Sequence, residues 1–156
     1  MAALNLRPAD FAVRYSWRAG SMPPPHHYRV SAEILPDGSG TATLTPGYSS
    51  KDVPTWSLPF RLNAEAFDAL YTVLRLEGLF SADWRDPDRR TVGGSLWSVH
   101  ATAEGQDVTV KGLQQTSDGA RPTPIREAIW GAVPEGIRAE LADRRKAYVA
   151  AYRKSR

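Results

Sequence analysis

Not one of the 156 residues is cysteine. That excludes disulfides, thiolate zinc sites, iron–sulfur clusters and cysteine nucleophiles. No apolar run approaches the ~18 to 20 residues of a membrane span. The start, MAALNLRPADF, has no basic segment followed by an apolar core, so no secretory signal is expected and the chain reads as cytoplasmic. Histidine is scarce, at three residues. His26 and His27 are adjacent, and neighbours on an extended chain point to opposite sides, so the two do not share one ion. His100 stands apart, and there is no HExxH pattern. We expect no metal and no cofactor. Walker, GxGxxG and GxSxG frames are also missing, so no catalytic residue is singled out. An enzyme of unrecognised class stays open, because catalytic groups can converge without a local motif.

What is present is an ordinary globular composition, 42% hydrophobic and 24% charged, with five Trp and six Tyr. The chain has the size of a single domain. Residues 1–10 and 154–156 are expected to be loose ends. Phe11, Val13, Tyr15 and Trp17 alternate with smaller or polar residues, which predicts a half-buried strand over 11–17. Three prolines at 23–25 favour an extended polyproline path. Alternation predicts further strands at 28–35, 41–45, 55–61, 95–103 and 107–113, with turns at Pro36–Gly40 and around Glu104–Gln106. Pro59 pushes 55–61 to a sheet edge.

One helix is well signalled. Asn63 is a good N-cap, and Leu62 and Phe67 have hydrophobic-staple spacing. Phe67, Leu70, Tyr71 and Leu74 form one stripe, and Gly78 suits a left-handed closing position. This places a helix at 64–77. Ile125, Ile129 and Val133 predict a short helix ending before Pro134. Glu135 then opens a last helix, so that 125–153 is helical apart from this break. The expected fold is α+β: an antiparallel sheet of five or six strands with these helices covering one face.

The order of strands, a capped F-x-x-L-Y-x-x-L helix closed by Gly78-Leu79-Phe80, a hairpin and a helix resembles small bacterial α+β domains of unassigned function. It distantly resembles the emfourin-type inhibitors of thermolysin-like metalloproteases. The matching stretch runs from Phe60 to about Trp130. The N-terminal hairpin and the basic last helix depart from it, and no inhibitory residue is carried over. The resemblance implies a role in binding and inhibiting another protein.

Two segments are candidate binding sites. The loop Asp83–Arg90 carries Trp84, Arg85, Asp86, Asp88, Arg89 and Arg90; Trp and Arg are enriched at interface hot spots, and the connection is long. Its aspartates match no calcium-loop spacing. The second is the C-terminal segment. Residues 138–156 hold seven basic and two acidic side chains, a local +5, while residues 1–137 hold 13 basic and 15 acidic, or −2. Arg138, Arg144, Arg145, Lys146, Arg153 and Lys154 are therefore candidates for nucleic-acid contact. Consecutive positions 144–146 fan around a helix, so binding there would be weak and the cations would stay wet. The leading reading is a non-catalytic protein-interaction module, inhibitory or regulatory, with another protein as partner. Weak nucleic-acid binding is the alternative, and no oligomeric state is read.

Overall fold

The computed structural model describes residues 6–48, 50–85, 96–112 and 122–155. Six antiparallel strands form one open sheet: β1 (Ala12–Arg18), β2 (Arg29–Ile34), β3 (Ser39–Thr45), β4 (Trp56–Arg61), β5 (Leu96–Ala103) and β6 (Gln106–Lys111). Their spatial order is β4-β3-β2-β1-β5-β6. The strand carrying Pro59 is an edge, where a missing N–H costs no ladder bond. Three helices, α1 (Ala64–Leu76), α2 (Pro122–Ala132) and α3 (Glu135–Lys154), bury their apolar residues against one face. The fold is α+β.

The alternation decides which face. Val13, Tyr15, Ile34, Val99, Ala101 and Val110 point to the helix side and join Phe67, Leu70, Leu74, Ile125 and Ile129 in one core. A second, smaller cluster sits under α3, where Ala32, Ala42 and Leu44 meet Val133 and Leu141. Small alanines on β2 and β3 let α3 approach closely. No helix of the described residues is long and apolar enough to cross a membrane.

The α1 capping chemistry is as the sequence implies. The Asn63 side chain accepts from Ala66 N–H at 2.7 Å, and Leu62 and Phe67 are both buried in the same core. At the far end Gly78 has φ +87° and Leu79 N–H donates to Leu74 O at 3.0 Å. Gly78→Ala should therefore cost about 1 kcal/mol, the penalty of a Cβ in the left-handed region. Chemical denaturation measures this, and a loss below a few tenths would contradict the capping account.

Three expectations are corrected. The proline run does not extend: His26 N–H donates to Pro23 O at 3.0 Å, closing a turn in which Pro24–Pro25 is cis. Helix α2 starts at Pro122 rather than 125, because proline is well suited to a first helical turn that needs no N–H partner. Residues 7–10, expected to be loose, are engaged. Arg7 lies 4.2 Å over the Phe67 ring and 3.1 Å from Asp68.

Asp10 closes the β5–β6 hairpin from outside. Its turn is Glu104–Gly105, both at positive φ (54° and 75°), the two-residue geometry that suits strand twist. The Asp10 carboxylate accepts from Glu104 N–H at 2.7 Å and Gly105 N–H at 2.8 Å. The Gly105 amide, then that of Glu104, holds this carboxyl below its ordinary value of 3.8. A depressed pKa stabilises the fold above the unfolded carboxyl range and loses that contribution as pH falls through the folded value. Asp10→Ala should lower the Tm at pH 7, and its difference from the parent should shrink as pH drops below about 4. A difference that stays constant with pH would contradict the tie.

Candidate functional site

Where β1 and β6 end and β2 begins stand Arg18, Lys111 and Arg29. At the opposite end of the sheet the acidic Glu33 and Asp37 are paired with Arg14 and Arg61. A strand ladder that reverses at each turn brings residues far apart in sequence to one end, so a charge count along the chain does not see the group Arg18, Arg29 and Lys111.

At the Arg18 end, on the helix side, a cleft of about 560 Å³ opens between the sheet and helices α2 and α3. Tyr15, Trp17, Tyr28 and Trp130 form much of its walls, and Arg126, Arg138 and Arg145 project into it. The volume falls within the usual range of ligand sites. Leu141 is 1% exposed and fixes how α3 faces the sheet. Arg138 and Arg145 flank it, seven positions apart and nearly two turns, so they share its side. Arg138 is further aimed by its Nε–H, which donates to Val133 O at 2.9 Å.

The arginines stack on rings. Arg145 lies 3.7 Å over Tyr28, and Arg126 lies 4.9 Å over Trp97. Such cation–π contacts contribute on the order of 0.5–2 kcal/mol each. They take up the faces of the guanidinium and of the ring but leave the N–H edges to be satisfied, of which the Arg145 Nη2 donates to His26 O at 3.5 Å. The Nε atoms of Arg126 and Arg145 are buried without a hydrogen-bond partner. Among the described residues none of the three arginines is ion-paired, and Glu135 is the one carboxylate in the lining. A desolvated donor without an acceptor costs about 1–3 kcal/mol, more when charged. A carboxylate is the group that would satisfy these edges.

This revises the reading of the last helix. Arg138 and Arg145 are drawn into the cleft rather than kept wet. Arg144 is tied to Glu140 at 2.8 Å. Lys146, Arg153 and Lys154 stay exposed near the C-terminus. The six cations do not form one stripe, because Arg144–Lys146 diverge around the helix and, of the six, the cleft takes Arg138 and Arg145. Arg126, absent from the sequence-based candidates, belongs to the site. Its signal was the Ile125/Ile129 stripe beside it, which places position 126 at the rim of a buried face.

The 83–90 loop is described only through Arg85. The Trp84 indole N–H donates to Leu79 O at 3.1 Å and its ring packs on the core, which makes it an anchor of the chain after α1. Arg85 pairs with Asp83 at 3.0 Å. Asp86, Asp88, Arg89 and Arg90 lie outside the described residues. Of the histidines, His27 is buried, stacked on Tyr48 with centroids 3.8 Å apart and bonded to Gly20 O. His100 contacts Asp107 on the open face of the sheet. Among the described residues no three His, Asp or Glu side chains group as a metal site.

The chain matches no protein-family model and no curated protein sequence.

Proposed function

We propose that the chain is a non-catalytic interaction module of the cytoplasm, and that its sheet–helix cleft captures an acidic segment of a partner protein. The observation that carries this reading is the set of three arginines, without ion pairs among the described residues, around an aromatic-walled cleft. Tyr, Trp and Arg are the residue types that dominate interface energies when set in a desolvated pocket. The stacked geometry favours carboxylates over nucleobases: Arg145 already covers the Tyr28 face a base would need, while the Nε–H groups of Arg145 and Arg126 have no acceptor. A charge-assisted hydrogen bond from such an edge contributes about 1.5–3 kcal/mol. Occupation of a partner in this way would inhibit or regulate it, and the emfourin-type resemblance adds thermolysin-like proteases to the partners worth assaying.

Calorimetric titration with an acetylated, amidated decapeptide holding four glutamates and one leucine tests the reading. Binding with a Kd on the order of 10–100 μM at low salt is expected, a value that two or three such bonds leave after ordering costs. The same peptide with glutamines should not bind. Equal binding of both peptides, or of neither, would overturn the proposal.

A further inference from the structure

Beside the cleft lies a second hollow, of about 570 Å³. The two share a wall made of Trp17, Tyr28 and Arg145. Trp17 packs on Tyr28 with ring centroids 4.9 Å apart, and the Arg145 guanidinium lies 3.7 Å over the same Tyr28 ring. The other wall is the segment between β1 and β2, with Ala19, Met22 and His26. That segment is well held. Ala19 N–H donates to Tyr28 O at 2.9 Å, and His26 N–H donates to Pro23 O at 3.0 Å. The His27 Nδ1–H donates to Gly20 O at 3.2 Å, and the Tyr48 hydroxyl donates to Met22 O at 2.8 Å. The His27 and Tyr48 rings stack with only 5° between their planes. The hollow is therefore formed before a ligand arrives, and little ordering of this segment opposes binding.

Its chemistry differs from that of the cleft. Trp17, Ala19, Met22 and Tyr28 supply apolar surface, and among the described residues no carboxylate lines it. Met22 is left 44% exposed. Methionine is adaptable and recurs on surfaces that take varied apolar side chains. Arg145, at the junction, has a buried Nε–H without an acceptor. On an extended chain, residues two apart point the same way and stand about 6.8 Å from one another. A carboxylate seated on Arg145 then brings the side chain two positions away to the hollow that begins at the same arginine.

We propose that the hollow receives an apolar side chain two residues from the carboxylate that Arg145 holds, a selection that rests on the cleft capturing an acidic segment. The partner's segment is then extended and reads acid, any residue, apolar residue, with leucine or methionine in the apolar place. Arg126, Arg138 and Arg145 alone would accept any acidic stretch, and the hollow distinguishes among them.

The glutamate decapeptide, made with its leucine two positions from a glutamate, is compared with the same peptide carrying alanine there. The leucine peptide should bind about tenfold more tightly, which corresponds to about two buried methylenes. The chain holds two methionines, Met1 and Met22, so labelling of the methionine methyls reports the hollow directly. The Met22 methyl should shift with the leucine peptide and stay in place with the alanine one, while the Arg145 Nε–Hε resonance shifts with both. Met22→Ser, at an exposed position, should keep the parent Tm within a few degrees and reduce the leucine preference to about threefold or less. Equal affinity of the two peptides, a full preference retained in Met22→Ser, or a Met22 methyl that stays in place while Arg145 shifts would each overturn the proposal and leave the cleft reading standing. An Arg145 resonance that moves with neither peptide would overturn the cleft reading and this selection together.

Discussion

Phe67→Ala should cost about 3–5 kcal/mol, a large part of the 5–15 kcal/mol that ordinarily holds a domain together. The ring is 1% exposed and stacked on Phe11 at 5.1 Å, with the Arg7 guanidinium above it and Leu62 beside it as the other half of the staple. Truncation removes the transfer free energy of the ring and leaves a cavity whose walls come from β1, the N-terminal segment and α1, elements that are each held by other contacts and cannot simply collapse. The Tm should fall by on the order of 10 °C. Leu76→Ala on the same helix, at a site 73% exposed, should change stability by less than about 0.5 kcal/mol. Thermal and urea unfolding followed by tryptophan fluorescence measure both. Similar losses at the two positions would mean that α1 is not held by its buried stripe.

Arg145→Glu should reduce affinity for the glutamate decapeptide by about 30-fold or more. Losing one partner of a desolvated charge pair costs roughly 2–5 kcal/mol, and the reversed charge adds repulsion. Arg145 borders the cleft and also a neighbouring hollow lined by Ala19, Gly20, Met22 and His26, so it stands at the junction of the two. Its removal also gives up the stack on Tyr28, so Arg145→Gln separates the charge effect from packing. The neighbouring Arg144→Glu is the control. It lies about 100° further round the helix, bonded to Glu140, and should leave affinity unchanged. Equal effects at 144 and 145 would show that peptide is held by the general charge of the helix rather than by the cleft.

Much of the fold was legible because it is local. Alternation in residues 11–17, 28–35 and 95–103 marked the strands and the side each residue faces. Asn63, Leu62, Phe67 and Gly78 marked both ends of α1, and Pro59 marked an edge. The start of α2 was missed because the polar stretch before Ile125 hides a proline that suits a first turn. The sites were far less legible. Arg138 and Arg145 read as part of a basic tail until Leu141 is seen buried between them. Arg126 and Tyr28 are nearly a hundred residues apart, and only tertiary packing brings them to one cleft. The row of hydroxyls across the sheet has no trace in the sequence, since Ser16, Ser31, Thr43, Ser57 and Ser98 become neighbours only once the register of four strand pairs is set.

The central claim is that the Arg126 and Arg145 edges await a carboxylate. Arginine side-chain Nε–Hε resonances, followed during titration with the glutamate decapeptide, test it most directly. The account predicts that the Arg126 and Arg145 signals, with the Trp130 indole N–H, shift together and saturate at one peptide per chain. Shifts confined to Arg153 and other exposed arginines, or shared evenly among all arginines without saturation, would contradict it.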